Sequence, residues 1–158
     1  MGVKMTTTKS QILNYISLSM KIVHDEIFRA LSYLGEQCVI KIRDRSANES
    51  WIDQTGNLRS SIGYAIYEKG RKEIESAFKI VKTGVEGSSE GKKMIDELAS
   101  SYSNTYALVV VAGMNYAEYV EAKDNKDVLA STELFARKEV GKYLSKAIKR
   151  AEAKIEKL

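Results

Sequence analysis

The sequence predicts an α+β fold in which a small antiparallel sheet, a hairpin plus a central strand, is packed by long N- and C-terminal helices. Three patterns carry this expectation: apolar residues at three-to-four spacing from Ile12 to Ile42 and again from Val140 to Leu158, a period-two tract from Ile62 to Tyr67, and the apolar run TYALVVVAG at 105–113. A chain of 158 residues corresponds to one domain. It divides into a polar lead-in over 1–8, a long helix over 9–45, a sheet-containing core over 52–122 with a flexible loop at 83–91, and a basic C-terminal helix over 131–158.

The first helix opens on a capping box. Thr8 and Gln11 are spaced so that hydroxyl and amide each take one of the free N–H groups around the first turn. Ile12, Ile16, Val23, Ile27, Ala30, Leu34, Cys38 and Ile42 then form one stripe, and no proline interrupts it. Gly35 costs about 1 kcal/mol relative to alanine and marks a bend or break. Unbroken, the rod would reach on the order of 55 Å at the helical rise, which exceeds a compact domain of this size. Part of it is therefore expected to pack on something outside its own domain. The polar stretch RDRSANES at 43–50 ends it.

Ile62, Tyr64 and Ile66 alternate with Gly63, Ala65 and Tyr67 as a strand. EKGRKE at 68–73 supplies a turn in which Gly70 is free to take positive φ, and Ile74, Ser76, Phe78 and Ile80 return as the second strand. The glycines and serines of TGVEGSSEG predict a flexible loop at 83–91, with Ser89 capping a short helix that follows over 92–102. The run at 105–113 predicts the central strand, buried on both faces. NYAEYVEAKDNKD at 115–127 is a helical turn and a loop, and Val140, Leu144, Ala147, Ala151, Ile155 and Leu158 mark the inner stripe of the last helix.

Net charge is +4, yet from 137 to 158 eight basic residues stand against three acidic ones. Lys142, Lys146, Lys149 and Arg150 on that helix are candidates for nucleic-acid contact, or equally a solvated face. The single cysteine, Cys38, excludes an intrachain disulfide, fits synthesis in a reducing cytoplasm, and reads on its stripe as a small buried hydrophobe. No apolar run reaches the ~18–20 residues of a membrane span, and the N-terminal residues lack the apolar core of a signal peptide.

Catalytic chemistry finds little footing. His24 is the only histidine, and a continuous helix holds it about 21 Å from Cys38. QTGNLRSS at 54–61 has one glycine and neither GxxxxGK[ST] nor GxGxxG. Asp53, Glu118, Glu121, Asp124 and Asp127 lie near loops, without spacing that converges them on a divalent ion. No catalytic, cofactor-binding or metal-ligand set emerges, and the chain reads as a non-enzyme. Arg43, Arg45 and Arg59 near the central corner could meet phosphate or pair with Asp44 and Asp53, and nine tyrosines suit protein interfaces.

Two stretches taken together carry a resemblance. DQTGNLRSSI at 53–62 leads into strand-like sequence, and YAEYVE at 116–121 lies within VVVAGMNYAEYVEAKDNKDVLASTELFA at 109–136. With a long helix before them and a closing helix after, their order resembles the tail-completion or head-to-tail joining proteins (minor capsid, neck) of tailed double-stranded DNA phages. The resemblance implies a structural virion protein, made in the host bacterial cytoplasm. It would form a homo-oligomeric ring in the neck that joins portal or adaptor protein to tail proteins, with no cofactor and at most non-specific contact with double-stranded DNA.

Thr55, Gly56, Leu58, Arg59 and Ile62, with Tyr116, Tyr119, Val120 and Glu121, carry over as scaffold and interface positions. Of these, Leu58, Ile62, Tyr116, Tyr119 and Val120 are expected in or near the core. Arg59 is expected to meet a carboxylate across a subunit boundary, with DNA phosphate second. The alternative reading is a nucleic-acid-binding module using the basic last helix, and a small metal-dependent hydrolase is the third.

Overall fold

The computed structural model describes residues 6–46, 48–123 and 126–158. Helix α1 (Lys9–Arg43) leads through the one-turn α2 (Asn57–Ser60) into strands β1 (Ile62–Glu68) and β2 (Arg71–Glu75). Helix α3 (Val85–Leu98), with a 3-10 turn at Ala99–Tyr102, leads to β3 (Tyr106–Ala112). The short α4 (Ala117–Ala122) and the long α5 (Ala130–Ile155) close the chain. The fold is α+β, with long N- and C-terminal helices and a three-stranded antiparallel sheet.

The predicted capping box starts α1: the Gln11 amide N–H donates to Thr8 Oγ1 at 3.2 Å, and the Thr8 N–H donates to Gln11 Oε1 at 2.8 Å. The helix then runs 35 residues, about 52 Å, with no break at Gly35. The reason for glycine there is contact, since a Cβ would lie 2.6 Å from the Tyr64 ring. The sheet crosses α1 at that point.

Strand order is β2-β1-β3, so the central strand is β1 and not, as expected, the apolar run at 105–113. That run forms β3, an edge strand. Its continuous apolar character reflects cover on two faces, which does not specify whether both backbone edges are paired. On one face Tyr64, Ile66, Leu108 and Val110 pack against Phe28, Leu31 and Ile42 of α1 and Val140 and Leu144 of α5. On the other, Tyr67, Val109 and Val111 pack with Phe78 and with Ile95 of α3. The layers are thus α1 and α5, then sheet, then α3.

The hairpin turns at Lys69 (φ 50°) and Gly70 (φ 80°), where the sequence placed it. The return strand is shorter than expected and ends at Glu75 rather than at Ile80. Ser76 terminates the ladder by accepting the Tyr64 N–H on its own Oγ at 2.8 Å. The next carbonyls turn elsewhere, Phe78 O to the Ser88 hydroxyl and Lys79 O to Arg43.

The predicted flexible loop at 83–91 is instead the start of α3, and Ser89 lies inside that helix rather than capping a later one. Gly84, Gly87 and Gly91 are at helical spacing, and each removes a side chain from a close contact. A Cβ would meet Ser60 Oγ at 2.3 Å, Asn57 O at 1.9 Å and the Phe78 ring at 2.4 Å, respectively. Here glycine permits proximity, not motion.

Gly35→Ala should raise helix propensity yet lower stability by about 1–3 kcal/mol, because the added methyl overlaps the Tyr64 ring. Gly141→Ala in α5, where a Cβ meets nothing within 4 Å, should instead stabilise by about 0.5–1 kcal/mol. Chemical denaturation of the two variants, with opposite signs expected, checks this.

Candidate functional site

The TGNLRSS corner is built by internal bonds. Gly56 takes φ 84° and starts α2, and a Cβ there would sit 1.9 Å from the Val81 carbonyl. Asp53 Oδ1 accepts the Gly56 N–H at 3.0 Å, while its Oδ2 accepts from Arg59 Nε at 3.3 Å. The Arg59 guanidinium lies 5.2 Å above the buried Trp51 ring. Within the chain, Arg59 pairs with Asp53. The turn between them brings the pair together, so the motif closes on itself.

The same corner holds the segment before and within α3. The Thr83 N–H donates to Thr55 O at 3.2 Å, the Val81 N–H to Ser60 Oγ at 2.8 Å, and Asn57 Nδ2 to Glu86 Oε2 at 3.0 Å. Leu58 and Ile62 are buried beneath it, as expected.

YAEYVE lies beside this corner. The Gly113 N–H donates to Ser61 O at 3.1 Å, and α4 follows. The Tyr116 hydroxyl pKa is pushed above its ordinary value by burial and by the charges of the Asp53 and Glu86 carboxylates. Val120 is half-buried against the main core. Tyr116 and Tyr119 are not core residues, however, being 38% and 66% exposed. Both rings leave apolar surface open at this end of the sheet. The register of the motif turns Ala117 inward in their place.

Glu121 caps the helix that follows. Its Oε1 accepts the N–H groups of Leu129 and Ala130 at 2.9 and 2.6 Å, satisfying the start of α5. Arg45 secures the same point, 2.8 Å from Asp127 Oδ1, and donates to Ser131 Oγ and Thr132 Oγ1 at 2.7 and 2.6 Å. Asp127, not Asp44 or Asp53, is its partner. Asp124 lies outside the described residues.

At the other end of the sheet α1 leaves the body. His24 Nε2 is 3.0 Å from Glu68 Oε2, the Tyr106 hydroxyl donates to Glu68 Oε1 at 3.0 Å, and the imidazole stacks on Phe28. The Glu68 carboxylate holds the His24 pKa above its ordinary value. Upstream of this anchor, every residue from Thr6 to Lys21 except Ser19 is exposed. Leu13, Tyr15, Ile16, Leu18 and Met20 are among the exposed apolar side chains. The part of the helix that its own body leaves uncovered is thus the first three turns of α1.

The basic helix is less free than its composition suggests. Arg150 Nε and Lys154 Nζ bind the two oxygens of Glu26 at 2.7 and 2.6 Å, and Lys142 pairs with Glu139 at 2.6 Å. Among the described residues, Lys146 and Lys149 are the two of the four candidates without an ion pair. Glu26 itself, 1% exposed, escaped the sequence reading. Its signal is position: it sits three residues after Val23 and four before Ala30, inside the apolar stripe.

Cys38 is fully buried, and burial pushes its thiol up to about 11. Among the described residues no group of three or more His, Cys, Asp or Glu side chains gathers for a metal. No helix among them is long and apolar enough to cross a membrane. Comparison with protein-family models, with curated proteins and with solved structures returned no match.

Lys154 and Arg150, in that order, hold the Glu26 carboxyl at about 2, below its ordinary 4.5. A depressed carboxyl stabilises the fold above its unfolded value, so this contribution is complete above pH 4.5 and fades as pH falls towards 2. Glu26→Gln should cost about 1–3 kcal/mol near neutral pH. Urea unfolding across that window should show wild type and variant converging at its acid end.

Proposed function

We propose that this chain is a structural subunit of the neck of a tailed double-stranded DNA phage, assembling as a ring that joins portal or adaptor protein to the tail. The observation that carries an assembly role is the apolar arm of α1, which leaves the body bare from Ile12 to Met20. Six large apolar side chains there are 37–68% exposed, several hundred Å² of apolar surface by the dimensions of such side chains. A patch of that extent marks an interface.

The neck in particular rests on the resemblance carried by TGNLRSSI and YAEYVE. In support, the two motifs lie at the same end of the sheet, and the polar groups of each bond within the chain, as suits a scaffold. The corner and the arm lie at opposite ends of the sheet, and a subunit placed between two neighbours in a ring needs two distinct surfaces. The nucleic-acid reading is weaker, since Arg150 is held by Glu26 and Lys142 by Glu139.

Native mass spectrometry and negative-stain imaging, on the protein alone and mixed with portal-complex components, test the proposal. Rings, either free or formed on the portal, are expected. A protein that forms none and binds no portal component contradicts it. Tight DNA binding that falls steeply with salt would favour the nucleic-acid module.

A further inference from the structure

The arm of α1 is amphipathic in its own right. Ser10, Asn14, Ser17 and Lys21 recur at spacings of four, three and four and form one polar stripe. Ile12, Ile16 and Met20, flanked by Leu13 and Tyr15, lie on the opposite side. This apolar side continues the stripe that the body covers from Ile27 onward. The helix therefore carries a finished packing face with nothing from the described residues of its own chain on it.

The body carries the complementary feature. A groove of about 690 Å³ opens between α5 and the outer edge of β3, floored by Leu31 and Leu34 of α1 and walled by Leu108 and Val110 on one side and Val140 and Leu144 on the other. Its floor runs from Ile27 to Cys38, about 17 Å of helix, and the arm from Lys9 to Lys21 spans about 18 Å. The two lengths match.

The groove also has a polar ledge. The bonds at Ser61–Gly113 and Thr105–Lys69, with the β1–β3 register, put the backbone of Ala107, Val109 and Val111 onto β1. The N–H and C=O groups of Leu108 and Val110 face the other way, along the open edge. The apolar side of a helix can fill the groove beside this ledge, with its Ser and Asn stripe turned to solvent.

We infer that this groove receives the α1 arm of a second copy of the chain. The arm cannot reach the groove of its own chain, because arm and groove floor are consecutive parts of one unbroken helix. Each copy thus presents an arm and a receptor at different places, which lets the contact run head to tail from copy to copy. Closure into a ring rests on the neck reading proposed above, whereas the arm-in-groove contact does not.

Disulfide trapping tests it in a Cys38→Ala background, with Ile16→Cys on the arm and Ala136→Cys on the groove-facing side of α5. Ile16 is half exposed and Ala136 is small, so neither change disturbs packing. The double variant should oxidise to a ladder of species beyond the dimer, and neither single variant should cross-link. Ile16→Glu with Met20→Glu should abolish self-association while leaving the circular dichroism unchanged.

Disulfide dimers of Ile16→Cys alone would set arm against arm and overturn the inference. So would a co-purifying apolar molecule seen in the groove by native mass spectrometry, or failure of the double variant to cross-link in a protein that still forms rings. That last result would leave the neck reading standing. A double-variant ladder that stops at the dimer would keep the arm in the groove and remove the ring.

Discussion

Helix α1 extends about 52 Å, while the seven-residue strands it supports span about 24 Å, so the helix must overhang its body. Where it is gripped decides everything else. Arg43 and Arg45 tie its C-terminal end to the Lys79 carbonyl and to the start of α5, and the Tyr64 ring seats on Gly35. Near the middle, Glu26 takes Arg150 and Lys154 from the returning α5, and His24 meets Glu68 at the sheet's end. Beyond that clamp no further element among the described residues covers the helix, and the apolar stripe runs on into solvent.

The clamp has a physical logic. A carboxylate at 1% exposure is unfavourable unless it is paired, and two cations with full hydrogen bonding compensate its desolvation. Because both cations come from α5, the pairing fixes the antiparallel register of the two long helices. The opposite end of the body is fixed by shape. Gly84, Gly87 and Gly91 let α3 close on the TGN corner, and the carboxylate of Glu121 starts α5 where the YAEYVE turn ends. One end of the sheet is thereby rigid and nearly self-satisfied, and the other carries the arm.

The features legible in the sequence were those decided by neighbours along the chain. The Thr8 cap, the Lys69–Gly70 turn, the two helical stripes and the overlong first helix all rest on residues within a turn or two of each other. What escaped was decided at long range. Face burial made β3 look central, because an apolar run does not say whether an edge is paired. Glycine and serine at 83–91 suggested slack, although their spacing of three and four was already that of a helix face pressed on a neighbour. Arg45 finds Asp127 from far along the chain, which no local pattern specifies. Tyr116 and Tyr119 were expected in or near the core, whereas the turn of α4 sends Ala117 inward and the rings out.

An overhanging arm that is bare in the single chain should become covered on assembly, and its backbone amides report on that change. Hydrogen–deuterium exchange at residues 13–22, followed in dilute monomer and in the assembled state, reads it out. Rapid exchange across these amides is expected in the monomer, since no tertiary contact holds the arm, with slowing by at least roughly tenfold on assembly. Equal protection in both states would contradict the role assigned to the arm.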